Sequence, residues 1–394
     1  MKRTLAILLM VAWTGAGVFA QKSAVNSAYT HYGNQYWDKA KRYIDMACVH
    51  PDTKDDAKTW MFRGNIYLMI ANEQNKEKPN PKYANLCENA IDTAYEAYEK
   101  AEKLDPKIRV SMQIADPKTG LRFCSGFFFD QAYTAIKEEK YEWAYNRGEK
   151  AYNSNTENEN AHYIYALAAE KSGHKDVAKQ HYRNMIKANV QRDEPYIHLA
   201  VMYKEEGDTN RALTVIKRHS VLKDTSSKIS VEYATQESII YAWAGDNEKS
   251  MQVMNKALEQ NPDNYVLLVN MGMELIGVKN YDKAEELLKK AEKLQPDNYF
   301  VYYNLGNCYF NRSLDIAKSL NSIEDDNEYA KAAETYQQML REALPYLEKA
   351  ESINGTDRNT LMMLRWVYSR VEVKEGEPDF KAKLEAVEAK LKDK

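Results

Sequence analysis

Apolar residues recur along this chain at the three- and four-residue spacings of amphipathic helices, and the clearest block lies between residues 265 and 298. Leu268, Met271 and Leu275 share one face of a first helix, and Tyr281, Ala284, Leu288 and Ala291 share one face of a second. Lys279-Asn280 breaks the pattern between them, which predicts two antiparallel helices joined by a tight turn. The phrase Pro-Asp-Asn-Tyr stands at 262–265 and again at 296–299, so the block repeats with a period of 34 residues. Gly272 and Gly306 are also 34 apart, and each is expected where two helices approach too closely for a side chain.

Small residues on the second helix mark the other copies: Ala40, Ala94, Ala144, Ala178, Ala212, Ser250, Ala284 and Ala343. Four residues after each comes Ile44, Tyr98, Gly148, Tyr182, Ile216, Met254, Leu288 or Leu347. The steps are 54, 50, 34, 34, 38, 34 and 59, so the central copies keep the period while the outer ones carry insertions. Gly148 and Ser250 depart from the pattern. Turns are expected at Gly207-Asp208, Gly245-Asp246-Asn247 and Lys279-Asn280, and exits at Pro106, Pro262 and Pro296.

Two inserts lengthen hairpins. The second copy gains eighteen residues around Asn72 to Asn85, where Pro79-Asn80-Pro81 predicts a loop. The eighth gains twenty-five in a helical rhythm on both sides of the acidic tip Glu324-Asp325-Asp326, which predicts a long antiparallel pair. The tip lacks the alternating oxygen ligands and glycine of a calcium loop, so it is expected to be a solvated turn. From Asp379 to Lys394, Phe380, Leu384, Val387 and Leu391 form one apolar side of a helix that covers the last hairpin.

A large residue, Leu, Gly and Tyr on a first helix, a small-large-small run on the second and Pro at the exit resemble the tetratricopeptide repeat. The resemblance implies an all-α fold: a right-handed superhelical α-solenoid of about eight hairpins with a C-terminal capping helix, since a hairpin apolar on two sides must stack on its neighbours. The expected division is a signal peptide at 1–20, N-terminal hairpins at 21–106, an irregular joint at 107–119, a central array at 120–298, the elongated hairpin at 299–357 and capping helices at 358–394. It also implies that first helices line a concave groove, here through Tyr163, Leu167, Ile197, His198, Val201, Gln236, Ile239, Val269, Asn270, Met273, Tyr303, Asn304 and Asn307. That lining mixes apolar side chains with amides and suits an extended or helical peptide. The family's carboxylate clamp is not expected: Asn270 and Asn304 match its Asn place, but its Lys and Arg places carry residues such as Thr235, Val269 and Phe300.

Composition narrows the reading. Gly 15 plus Pro 10 is low for 394 residues and favours long helices, and 44% hydrophobic with 29% charged residues supports a folded chain. Lys+Arg 55 against Asp+Glu 58, without a long basic run, gives no case for nucleic acid. Lys2 and Arg3, an apolar run from Leu5 to Trp13 and Val18-Phe19-Ala20 before Gln21 have the layout of a secretory signal, with cleavage expected after Ala20. The expected product is an exported, periplasmic or secreted chain with no transmembrane segment and no lipid-anchored cysteine, similar to periplasmic repeat proteins of Bacteroidota.

Cys48, Cys87, Cys124 and Cys308 fit neither a metal pair nor a CxxC motif, and they are expected as free thiols, with a Cys48–Cys87 pairing left open. His162, His174 and His181 are expected as ordinary packing or surface histidines. The run Phe123 to Phe129 is expected to plug the seam between the second and third hairpins. No metalloprotease, hydrolase or phosphate-loop motif occurs, and no cofactor or metal is called for. The reading that results is a non-catalytic scaffold in the bacterial cell envelope that binds a protein or peptide, with a glycan- or nutrient-binding component of an outer-membrane system as the alternative.

Overall fold

The computed structural model describes residues 24–108, 120–222, 230–373 and 380–392. The expected signal segment at 1–20 and most of the expected 107–119 joint lie outside the described residues. Every regular element among the described residues is a helix, which agrees with the all-α reading. The chain divides into two compact units, Met1–Val190 and Gln191–Lys394.

The first unit holds α1 (24–33), α2 (Trp37–Val49), α3 (Ala57–Gln74), α4 (Ala90–Leu104), α5 (Leu121–Lys137), α6 (Tyr141–Ser154), α7 (Glu159–Lys171) and α8 (Lys175–Lys187). Successive helices pair as antiparallel hairpins, α3 with α4, α5 with α6 and α7 with α8. The second unit holds α9 (Glu194–Glu205), α10 (Thr209–Leu222), α11 (Val231–Trp243), α12 (Asn247–Gln260), α13 (Tyr265–Gly277), α14 (Tyr281–Leu294), α15 (Tyr299–Leu320), α16 (Asp326–Ile353), α17 (Arg358–Tyr368) and α18 (Lys381–Lys392). Here too each odd-numbered helix packs on the next.

The small residues of the second helices explain the packing. Ala40, Ala94, Ala144, Ala178, Ala212, Ser250, Ala284 and Ala343 are all 0% exposed, and the residues four positions on are buried as well. A short side chain lets the partner helix come close, and the large one a turn later fills the space beside it. In three of the copies, where the large residue arrives, the facing first helix carries glycine: Gly64, Gly272 and Gly306. A Cβ built on Gly272 would lie 2.7 Å from Leu288, and one on Gly306 would lie 2.5 Å from Leu347.

Local chemistry sets the helix ends. Asn264 and Asn298, the same residue of the repeated Pro-Asp-Asn-Tyr phrase, each accept a backbone N–H of the helix they open, from Leu267 and Phe300. Inside the hairpins the residue two places before the second helix is left-handed. Gly207, Gly245 and Lys279, where turns were expected, have φ of 78°, 80° and 63°.

Both inserts fold back on their own unit. In the loop after α3, Tyr83 is buried and its hydroxyl donates to the Gln35 carbonyl at 3.2 Å, while Lys82 pairs with Asp38 at 3.0 Å. In the second unit α15 and α16 form the expected long antiparallel pair, and Asp325 of the acidic tip accepts backbone N–H groups of Asn327 and Glu328. The tip is therefore a helix cap. Further along α16, Gln337 donates to the Arg370 carbonyl at 3.2 Å and accepts from the Glu372 N–H at 2.9 Å.

Candidate functional site

The expected groove residues separate into packed and accessible ones. Ile197 is 5% exposed and Asn304 is 1% exposed, so neither presents a surface to a ligand. Asn304 donates to the Phe300 carbonyl at 2.7 Å, one turn back on its own helix. Tyr163 in the first unit is half-buried, as are His198, Gln236, Ile239, Asn270, Tyr303 and Asn307 in the second. Met273 is exposed. Asn270 donates to the Thr235 hydroxyl at 3.4 Å, linking the first helices α13 and α11, which leaves its carbonyl oxygen for other partners.

Tyr303 and Asn307 meet a third element. They line a cleft of about 550 Å³ between α15 and α17, together with Phe310, Asn311, Asn359, Met362, Arg365, Trp366 and Arg370. Burial, reinforced by Asp357, raises the Tyr303 phenol above its ordinary value, so it stays a hydrogen-bond donor. Asn311 donates to both the carbonyl and the side-chain oxygen of Asn307, at 2.9 and 2.7 Å, which holds the two amides in register one turn apart. The Arg370 guanidinium lies 3.6 Å from the centre of the Trp366 ring, and Phe310 meets the same indole at 6.3 Å and 87°.

The α17 wall was missed because 358–394 was read as a cap. Asp357 accepts the Thr360 N–H and opens α17 in the way Asn298 opens α15, 59 residues earlier. That is the step that separates Ala284 from Ala343, so the insert length alone would have placed another first helix here. α17 packs on both α16 and α15, and α18 returns across it as its partner.

The first unit has a cleft of different character. It encloses about 590 Å³ against α5 and carries Phe127, Asp130, Gln131, Glu138 and Trp143. The Gln131 side-chain oxygen is buried there without a hydrogen-bond partner. Of the aromatic run, Phe128 is 0% exposed and meets Tyr95 edge to face at 5.4 Å, filling the seam between α4 and α5 as expected, while Phe127 turns to the cleft.

His162 and His181 meet through their Nδ1 atoms at 3.2 Å, whereas His174 stacks on Tyr145 at 4.0 Å. The thiols are free among the described residues, and burial pushes those of Cys48 and Cys308 up to about 12. No group of three or more metal-ligating side chains occurs among the described residues, and no helix among them is long and apolar enough to cross a membrane.

Residues 265–298 match the sequence model of the tetratricopeptide repeat. No curated protein matches the chain. Solved structures with similar architecture include a tetratricopeptide repeat protein from Parabacteroides merdae, at 14% identity and TM-score 0.45 over 76% of this chain and 98% of that one. PilF of Pseudomonas aeruginosa aligns at 13% identity and TM-score 0.41 over 59% of this chain and 97% of its own. A Thermus thermophilus repeat protein aligns at 16% and 0.38 over 47% and 98%. Residues 265–298 are thus a tetratricopeptide repeat, set among the helical hairpins of an all-α chain.

Proposed function

We propose that this protein is a non-catalytic scaffold of the bacterial cell envelope that binds a protein or peptide through the accessible faces of its first helices. The observation that carries this reading is the α15–α17 cleft, where a phenol, amides and apolar side chains converge on an open volume of about 550 Å³. Such a lining suits a polypeptide, because amides satisfy backbone groups in both directions while apolar contacts supply affinity. Export is part of the same proposal and rests on the charged, apolar and small-residue segments of the first twenty residues.

Crosslinking from intact envelopes followed by mass spectrometry tests the scaffold, with Tyr303→Glu alongside. The expected result is a stoichiometric partner captured by the natural chain and lost with the variant, at unchanged helical circular dichroism. Equal capture by both would remove this face from the account. Ile197→Glu is unsuitable as a probe, since it would bury a charge at a packed position. N-terminal sequencing of the cellular protein tests export, with Gln21 expected as the first residue.

A further inference from the structure

We propose that the cleft between α15 and α17 takes an extended acidic segment of the partner protein, held along its length rather than by its terminus. The inference rests on the scaffold reading and gives its partner a chemistry. Among the described residues that line the cleft are two arginines, Arg365 and Arg370, and no carboxylate. That is a local departure for a chain in which Asp+Glu 58 exceed Lys+Arg 55. Arg370 is placed over Trp366 at 3.6 Å and donates to the Ser369 hydroxyl at 2.8 Å, which fixes its fork. Arg365 is exposed and has no ion pair among the described residues, so its charge is available to an incoming anion.

The amides define the form of the segment. Asn307 and Asn311 lie one turn apart on α15, with Tyr303 one turn before them, and Asn359 faces them from α17. Asn307 accepts from Asn311 and makes no side-chain donation among the described residues, so the pair offers donors and an acceptor at successive levels of the cleft. An extended backbone, with N–H and C=O groups alternating along it, matches that set better than a helix whose backbone groups are already bonded. α17 spans 11 residues, roughly 16 Å, enough for about five residues of extended chain. Met362, 46% exposed, offers an apolar contact between the charged ends.

Other ligand classes fit less well. The Arg370 guanidinium occupies a face of the indole on which a sugar ring would stack. Two arginines without a basic surround do not make a phosphate-backbone track. No lysine is among the described residues that line the cleft, which sets it apart from recognition of a chain terminus by a carboxylate clamp.

The test is fluorescence anisotropy on the purified protein, using a labelled peptide of about ten residues that alternates glutamate with serine and leucine, acetylated and amidated to remove terminal charge. The same peptide with glutamine for glutamate is the control. The glutamate peptide should bind at least about tenfold more tightly than the control, and more weakly as salt rises. Arg365→Glu should weaken its binding by about tenfold, and Arg365→Lys should keep most of it, since the site is exposed and neither change burdens the fold.

Equal binding of the two peptides, or equal binding by Arg365→Glu and the natural chain, would overturn the proposal. Quenching of tryptophan by an oligosaccharide without peptide binding would overturn it in favour of carbohydrate. The two readings fail separately. Envelope capture that is lost with Tyr303→Glu but indifferent to Arg365→Glu keeps the scaffold and rejects the acidic segment. Peptide binding without any envelope capture keeps the cleft chemistry and rejects the envelope partner.

Discussion

The hairpin α7–α8 in the first unit and the hairpin α13–α14 in the second follow one frame, offset by 106 residues, and fill it with different chemistry. Ala178 and Ala284 are equivalent and both 0% exposed. Where α13–α14 places Leu268 and Leu287 in an apolar core, α7–α8 places His162 and His181, whose rings meet at 3.2 Å between Nδ1 atoms. Where α14 has Leu288 facing Gly272, α8 has Tyr182, whose hydroxyl donates to Glu170 at 2.8 Å. The repeat thus demands small and large residues at a few positions and leaves the polarity of the remaining seam open. At these two positions one hairpin places leucines, and the other places a pair of imidazoles that titrate.

The strongest way to break the comparison is Gly272→Val. Its Cβ would stand 2.7 Å from Leu288, so the two helices of the apolar hairpin must separate or the leucine must leave its rotamer. A loss of about 2–3 kcal/mol is expected by urea unfolding. The equivalent position in α7 already carries Ala166, 0% exposed, so Ala166→Gly should cost only about 1 kcal/mol.

Acid should separate the two hairpins next. Burial, with the neighbouring His162 adding to it, lowers His181 from 6.5 to about 4. The folded chain then binds a proton there less readily than the unfolded chain. Its stabilising effect is complete above about pH 6.5 and is lost as pH falls toward 4. His162 Nε2 lies 2.9 Å from the Thr156 carbonyl, an acceptor, so its Nδ1 accepts from His181 while both rings are neutral. A second proton sets two N–H groups against each other. Thermal unfolding at pH 7 and 4.5 should differ by on the order of 2 kcal/mol, and His181→Leu, which copies Leu287, should remove much of that difference. An unchanged pH slope in the variant would show that the imidazole pair is not its source.

The smallest effect concerns the turns. Gly173 at φ 86° and Lys279 at φ 63° hold the same place before the second helix. Glycine takes that conformation without steric cost, whereas lysine carries its Cβ into it. Lys279→Gly should therefore stabilise by about 0.5–1 kcal/mol, less the loss of the Lys279–Asp315 ion pair at 3.0 Å. A destabilising outcome would make the ion pair the larger contribution.

Much of the fold was legible in the amino-acid order because each of its requirements is local. A glycine 34 residues from another, a small residue facing it and an asparagine at the helix entry each report a contact within one hairpin or at its next joint. The candidate site was less legible. Tyr303 and Asn307 line a cleft, but Ile197, which holds the repeat position of Tyr303, and Asn304, which holds that of the half-buried Asn270, are packed. One and the same repeat position changes from accessible to covered according to how the neighbouring first helix sits, and periodicity does not report that distance. The α17 wall was overlooked for another reason: the insert in the eighth hairpin displaced it from the 34-residue register.

The all-helical architecture, the hairpin turns and the near-complete burial of the small residues follow from spacing that any reader of the chain can measure. They do so because a repeat stabilises itself through neighbours close in sequence. The joining of Asn307 and Arg365 across one cleft, the meeting of His162 with His181 and the burial of the Gln131 oxygen depended on how side chains from different helices come together. Those arrangements are set by interhelical distance and side-chain direction, quantities that emerge only when the helices pack.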